Sequence, residues 1–255
     1  MTYSILLLGA TGFIGSLIAA ELAILKEQKL LERTAFLTST SSPEKEAKYA
    51  AVPLERITGS LTDPASYRGF DIVISAVGDD LCAQQVEFID AAFEGGVRHF
   101  YPTEFGADLS HPVSLPEAYF KNKIATRKHL EARVAADPTK GYTYILVGLF
   151  TEVFLAYNAL GLSEDRRSAR IIGAPGERVS ITSAQDVAKI TATSLLPSHL
   201  PSLSTRREIR FAGETLTLSS LFSTVENVVG HKVDVEYIVK VGVGYFRKGE
   251  GVSLI

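Results

Sequence analysis

The sequence predicts an α/β fold built on a doubly wound parallel sheet. Short apolar runs alternate with longer amphipathic segments through the first half of the chain, which is the pattern of βαβ units. A glycine-rich turn at residues 9–15 joins the first apolar run to the first amphipathic segment. The chain has 255 residues, of which 46% are hydrophobic, so it can bury one sizeable core.

Six apolar runs account for the strands of the predicted sheet. They occupy residues 4–8, 34–37, 54–57, 71–75, 97–101 and 142–147. The amphipathic stretches between them that have the length of helices are residues 12–27, 83–93 and 117–135. Joined by right-handed crossovers, six such strands form a doubly wound sheet.

The pattern changes after residue 149 to shorter apolar pieces. Strands are predicted at 169–172, 179–181, 208–211 and 233–238, and helices begin at Ala184 and Ser219. No linker of low complexity and no internal repeat separates the two halves of the sequence. We therefore predict that residues 1–149 form the sheet domain and that residues 150–255 form a smaller, dependent lobe.

Composition and charge exclude several classes of protein. The formal charge is −3, so the chain lacks the basic excess that binds phosphate backbones, and we expect no nucleic acid partner. The single cysteine, Cys82, cannot form an intramolecular disulfide, and no cluster has metal-ligand spacing, which favours a cytoplasmic location without a metal. The first apolar run ends at Gly9, as a buried strand does, and lacks the basic start of a signal peptide. Glu152 lies inside the most apolar stretch, which argues against a membrane span.

Three glycines in the turn, Gly9, Gly12 and Gly15, follow an apolar strand and open a helix. This context predicts a dinucleotide site on a Rossmann-type fold, because small residues let backbone N–H groups and the helix N-terminus approach a pyrophosphate. The expected cofactor contacts, from this turn and from the small residues that end the fourth strand, are Gly9, Thr11, Gly12, Phe13, Ile14, Gly15, Ala76 and Val77. The alternative is a tight turn without a ligand. We favour the binding site, because each glycine costs roughly 0.5–1 kcal/mol of stability.

The end of the second predicted strand indicates which cofactor binds. Folds that prefer NAD place an acidic residue there to hold the ribose hydroxyls. In this chain Thr38 and Ser39 occupy the position, and Lys45 and Lys48 follow. Hydroxyl groups with nearby cations suit a 2′-phosphate, so the sequence favours NADP(H) over NAD.

Three stretches resemble a known family: Gly9-Ala-Thr-Gly-Phe-Ile-Gly15, Asp71-Ile-Val-Ile-Ser-Ala-Val-Gly78 and Gly96-Val-Arg-His-Phe-Tyr-Pro-Thr-Glu-Phe-Gly106. They are similar to the NmrA-like, isoflavone-reductase-like branch of the atypical short-chain dehydrogenases. The resemblance implies an NADPH-dependent reductase of aromatic secondary metabolites, or a non-enzymatic relative that senses the nicotinamide pool. It also implies that the glycine loop holds the pyrophosphate and that a helix lysine, here Lys123, supports catalysis near the nicotinamide. Where the family's reductases often use an arginine to grip the 2′-phosphate, this chain has Thr38.

Tyr119 and Lys123 are four residues apart on a predicted helix, so both side chains lie on one face. In a short-chain-dehydrogenase-type site the lysine ammonium favours the phenolate and binds the nicotinamide ribose, while the tyrosine exchanges a proton with the substrate oxygen. Thr103, at the end of the fifth strand, is the predicted assisting hydroxyl. Two plainer interpretations stay open: Lys123 shares a solvated helix face with Lys121 and Lys128, and Thr103 caps the end of its strand.

The leading hypothesis is an NADPH-dependent oxidoreductase that reduces a conjugated or carbonyl-bearing aromatic metabolite. In this hypothesis residues 1–149 bind the dinucleotide and residues 150–255 bind the small aromatic substrate. One alternative is an NADP-binding redox sensor that acts on a protein partner without turnover. Another is an enzyme that keeps a bound cofactor but catalyses cyclisation or isomerisation. A homodimer is compatible with the sequence, which gives no oligomeric state.

Overall fold

The computed structural model describes residues 2–39, 43–110, 120–156 and 160–238. The chain forms two compact units. The first, called the sheet unit, takes its described residues from Met1–Phe105, Leu109–Leu146 and Gln185–Arg210. The second unit takes its described residues from 106–108, Val147–Ala184 and the part of the chain from Phe211 onwards.

Seven parallel strands form the sheet of the sheet unit, as far as the chain is described. Numbered in chain order over the whole molecule, they are β1 (Ser4–Leu8), β2 (Arg33–Thr38), β3 (Glu55–Thr58), β4 (Ile72–Ser75), β5 (His99–Tyr101), β6 (Gly141–Leu146) and β10 (Arg206–Arg210). Their spatial order is β10-β6-β5-β4-β1-β2-β3, and each neighbouring pair is parallel. Every residue of β1 is buried, as expected for a central strand covered by helices on both faces.

Helices cover this sheet and supply its crossovers. They are α1 (Phe13–Glu27), α2 (Pro43–Ala50), α3 (Asp79–Cys82), α4 (Gln85–Glu94), α5 (Lys121–Ala136) and α7 (Ala184–Thr193, in this unit from Gln185). α1 buries Ile18, Ala19 and Leu22, which recur at helical spacing along one face. One apolar core joins strands to helices, with Leu6 of β1 and Phe88 of α4 among its fully buried members.

The second unit contains two small sheets and two helices among its described residues. Its elements are β7 (Leu149–Phe150), α6 (Thr151–Ala156), β8 (Ser168–Ile172), β9 (Arg178–Thr182), β11 (Glu214–Thr217), α8 (Leu218–Val229) and β12 (Asp234–Ile238). One sheet has the order β11-β9-β7, and the other pairs β12 with β8 in parallel. Phe154, Leu218 and Phe222 are buried in the core of this unit.

The predicted fold class is confirmed, and the six predicted strands all occur, with ends shifted by at most two residues. The predicted number of strands in this sheet is wrong, because β10 pairs with β6 as a seventh strand; it corresponds to the strand predicted at 208–211, which was assigned to the smaller lobe. The sequence of β10 is Arg-Arg-Glu-Ile-Arg. It lacks a continuous apolar run because an edge strand is only partly covered by the rest of the protein. α2 was not predicted, because none of its residues is buried and most of them are polar. No helix among the described residues combines the length and the apolarity needed to cross a membrane.

Candidate functional site

The strand order reverses next to β1, which pairs with β2 on one side and with β4 on the other. From β4 the chain proceeds outwards through β5 and β6, whereas from β2 it proceeds to β3 in the opposite direction. In open parallel sheets, ligands bind at such a switch point, outside the carboxyl ends of the strands. The loops after β1, β4 and β5 therefore form the candidate site.

The glycine loop after β1 contains two glycines that the backbone itself requires. Gly9 has a φ of +78°, and a Cβ at this position would lie 2.5 Å from the carbonyl oxygen of Ala76. A Cβ on Gly15 would overlap the carbonyl oxygen of Gly9. These two glycines let α1 start directly against the tips of β1 and β4.

Gly12 is different, because the position is exposed and less crowded by the protein. The nearest described atom to a Cβ on Gly12 would be the carbonyl oxygen of Gly9, at 3.3 Å. Gly12 is the N-cap of α1, no described side chain caps that helix, and its first turn has no acidic residue. Thr11 and Phe13 are also exposed, and Ile14 is half-buried. The loop thus fits the pyrophosphate of a dinucleotide, which needs close backbone approach and positive helix-end charge.

The tip of β4 lies against the glycine loop. The backbone N–H of Ala76 donates to the carbonyl of Leu8 at 2.9 Å, which continues the β1–β4 pairing past the end of β4. Ala76 and Val77 are each 6% exposed. The two residues predicted to approach the cofactor therefore lie next to Gly9, on the same edge of the sheet.

The end of β2 carries hydroxyl groups. Thr38 is buried, and its hydroxyl donates to the carbonyl of Ser39 at 3.0 Å, while Ser39 itself is exposed. Lys45 and Lys48 are exposed on α2. These groups suit a 2′-phosphate, and their contact with the cofactor stays a prediction.

Thr103, just after β5, is bound on two sides. Its hydroxyl donates to the carbonyl of Val77 at 2.9 Å, and its N–H donates to the Gln85 side chain at 2.9 Å. The first bond ties the tip of β5 to the tip of β4 and the second ties it to α4, as strand-end capping requires. A catalytic role for Thr103 stays a prediction, and it requires the hydroxyl to leave Val77.

Lys123 lies in the first turn of α5 and is half-buried, whereas Lys121 and Lys128 on the same helix are exposed. Its Nζ donates to the backbone carbonyl of Glu104 at 2.6 Å. The solvated-face interpretation therefore describes Lys121 and Lys128 but not Lys123. Tyr119 lies outside the described residues.

A buried ion pair, which the sequence did not suggest, lies beside Lys123. Arg127 binds both carboxylate oxygens of Glu104, with Nε to Oε1 and Nη2 to Oε2 each at 2.9 Å. The guanidinium also lies over the ring of Tyr144, 4.5 Å from its centroid. Burial lowers the pKa of Arg127, but the hydrogen bonds and charge of Glu104 outweigh it and raise the pKa overall. The available signals were a carboxylate three residues after the end of a buried strand and an arginine four residues after Lys123.

Cys82 of α3 is 4% exposed. Burial raises the pKa of its thiol, which the charge of Lys123 opposes only in part. A protonated, buried thiol is a poor nucleophile, so Cys82 contributes to packing at this edge.

A family model described as the NmrA-like family matches residues 1–243. A phenylcoumaran benzylic ether reductase of Pinus taeda is 30% identical over 247 residues, which cover 92% of this chain and 77% of that protein. The crystal structure of an isoflavone reductase matches with a TM-score of 0.75 at 26% identity, covering 94% of this chain and 80% of that one. The binary complex of leucoanthocyanidin reductase with NADPH from Vitis vinifera has a TM-score of 0.72 over 92% of this chain and 78% of that one, and its 21% identity shows the fold alone. The predicted family resemblance is confirmed.

Proposed function

The chain belongs to the NmrA-like family, and from this premise we propose that it is an NADPH-dependent oxidoreductase that reduces a conjugated or aromatic secondary metabolite. One observation carries the proposal: a continuous series of contacts joins the glycine loop to a half-buried lysine along the carboxyl edge of the sheet. Gly9 lies against Ala76, and the carbonyl of the next residue, Val77, accepts a hydrogen bond from the hydroxyl of Thr103. The carbonyl of Glu104, the residue after Thr103, accepts one from Nζ of Lys123. A bare strand-to-helix turn does not require this series.

The glycine loop and the tip of β4 would hold the pyrophosphate and the nicotinamide end of NADPH, which supplies the hydride when bound. Gly12 lets the backbone approach the phosphates, and the N-terminus of α1 stabilises their charge. Ser39 and the lysines of α2 offer hydroxyls and cations to the 2′-phosphate, where an acidic side chain would repel it. These features favour NADPH over NADH.

Lys123 performs the protein's own chemistry in this proposal. Its Nζ is fixed by one hydrogen bond to Glu104, which leaves further N–H donors for a ribose hydroxyl and for the substrate oxygen. As the substrate gains a hydride, negative charge develops on that oxygen, and the ammonium stabilises it and favours its protonation. We propose Tyr119 as the proton donor that Lys123 assists.

The substrate class is proposed from the relatives. The names of the similar proteins denote reductases of phenylcoumaran benzylic ethers and of isoflavones, which are aromatic molecules. We propose a substrate of this kind, bound by residues 150–255, in a cytoplasmic protein without a disulfide. The family match favours turnover over the sensor and isomerase alternatives, because these named relatives are reductases.

The test is oxidation of NADPH, followed by its absorbance, with a panel of phenylcoumaran ethers, isoflavones and related aromatic carbonyl compounds. Lys123→Ala should lower kcat by about 10²–10⁴-fold on the accepted substrate, because it removes a general acid–base group. Lys128→Ala is the matched control, since Lys128 is exposed on the same helix, and it should retain wild-type kcat.

Full activity of Lys123→Ala would overturn the catalytic assignment. Tight NADPH binding without oxidation of NADPH across the whole panel, together with NADP-dependent capture of a protein partner, would favour the sensor. Conversion of a substrate without oxidation of NADPH would favour the isomerase.

A further inference from the structure

We propose that the buried ion pair between Glu104 and Arg127 is a positioning device that holds Lys123 at the carboxyl edge of the sheet. The inference rests on the proposed function, because it explains how the lysine of that site is placed. Neither Glu104 nor Arg127 is assigned contact with cofactor or substrate. Both act through Lys123.

The geometry joins the pair and the lysine through one residue. Glu104 accepts Lys123 Nζ on its backbone carbonyl at 2.6 Å and binds Arg127 through both carboxylate oxygens. Lys123 and Arg127 are four residues apart on α5, so they lie on one helix face. The first turns of α5 are therefore attached to the tip of β5 at two points on the same residue.

The surroundings restrict Glu104 further. Its N–H donates to the carbonyl of Pro102 at 2.7 Å, and the next residue, Phe105, is buried with a φ of +33°. A left-handed backbone at a residue other than glycine persists only where neighbouring contacts enforce it. The carbonyl that accepts Lys123 is thus held in one direction.

Burial of the Glu104–Arg127 pair also supports a positioning role. Among the ion pairs that join two described residues, it is the one in which both side chains are less than a tenth exposed, at 9% for Arg127 and 2% for Glu104. Desolvation largely offsets the attraction in such a pair, so apolar residues of similar volume often stabilise a fold equally well. What apolar residues cannot supply is the forked geometry that fixes Glu104.

The test is the double substitution Glu104→Leu with Arg127→Met, which removes both charges and keeps the volume near Tyr144. The matched control is Arg33→Met with Glu55→Leu, which removes a forked arginine–glutamate pair between β2 and β3, outside the proposed site. Each double variant is first checked for a melting temperature equal to that of the wild type. Two quantities are then measured in both double variants and in the wild type. The first is the rate at which an amine-reactive reagent labels Lys123 relative to Lys128, quantified by peptide mass spectrometry. The second is kcat against the NADPH dissociation constant.

We expect the labelling ratio of Lys123 to rise by about threefold or more as its amine is released. We also expect kcat to fall by roughly 10–100-fold, with the dissociation constant of NADPH within about twofold of wild type, because misplacement of a catalytic group by about 1 Å has effects of this size. The control pair should change neither quantity. Arg127→Lys, which keeps the charge but lacks the fork, should fall between wild type and the double variant.

An unchanged labelling ratio in a folded double variant would overturn the proposal, even if kcat fell, because the effect would not pass through Lys123. If the double variant does not fold, Arg127→Lys decides by the same two measurements. If the wild type reduces no substrate, the proposed function fails, and the labelling ratio still decides whether the ion pair positions Lys123.

Discussion

At the scale of single residues, the glycine loop shows two uses of the same amino acid. Gly9 and Gly15 are required by the fold, since a Cβ on either would collide with backbone of this loop or of the β4 tip. Gly12 is exposed and less crowded, so the absence of a side chain there leaves room for a ligand outside the loop. The sequence predicted all three glycines as cofactor contacts, but spacing alone cannot separate the two uses, because the difference depends on where Ala76 lies.

This distinction predicts opposite outcomes for two substitutions. Gly12→Val should abolish NADPH binding in titration calorimetry while the protein stays folded, because a branched side chain occupies the space that the pyrophosphate needs. Gly15→Ala should instead lower the free energy of unfolding by about 1–3 kcal/mol in urea titrations, because its methyl group overlaps the Gly9 carbonyl. Normal NADPH binding by Gly12→Val would mean that the phosphates bind elsewhere.

At the scale of secondary-structure elements, a largely buried polar network links β10 to the neighbouring strands of the sheet. Arg207 of β10 donates through Nε to the hydroxyl of Thr143 on β6 at 3.0 Å, and through Nη2 to the backbone carbonyl of Ser194 at 2.7 Å. Thr143 in turn contacts Nε2 of His99 on β5 at 2.8 Å, and Nδ1 of His99 lies 2.9 Å from the carbonyl of Leu203. A carbonyl only accepts, so Nδ1 carries a proton, and in the neutral ring Nε2 accepts from the hydroxyl of Thr143. These contacts span about a hundred residues, which apolar periodicity cannot reveal.

The network predicts a pH dependence of stability. Burial, opposed by the Leu203 hydrogen bond and reinforced by the charge of Arg207, lowers the pKa of His99 from 6.5 to about 3. The unfolded chain therefore binds a proton between these values that the native protein does not. The contribution of His99 is fully present above pH 6.5 and is lost as pH falls, at up to about 1.4 kcal/mol per pH unit.

Urea unfolding of the wild type and of His99→Gln at pH 7, 6 and 5 measures this contribution. The free energy of unfolding of the wild type should fall more steeply between pH 6 and pH 5 than that of His99→Gln. His231→Gln, a substitution outside the seven-stranded sheet, should keep the wild-type slope. Equal slopes for wild type and His99→Gln would show that His99 is not held neutral.

At the scale of the whole molecule, the sequence was sufficient to predict those strands and helices that keep one or both faces buried along their length. The five inner strands are largely buried, and α1 has a buried face of regular spacing, so the fold class and the glycine-loop edge could be predicted. The exposed helix α2 lacks such a pattern and was missed, whereas the polar edge strand β10 was predicted as residues 208–211 but assigned to the smaller lobe. The pairing of Glu104 with Arg127 was missed for a related reason: it depends on how closely α5 packs against the tip of β5, which no local pattern encodes.

The central claim is that the carboxyl edge beside Gly12 binds NADPH, and calorimetric titration of the wild type with NADPH and with NADH under identical conditions tests it most directly. The account predicts a micromolar or tighter dissociation constant for NADPH and a value at least about tenfold higher for NADH, a difference of about 1.4 kcal/mol. The structural reason is that Ser39 follows β2 at the place where folds that prefer NADH carry an acidic residue. A clear preference for NADH, or no binding of either dinucleotide, would contradict the account.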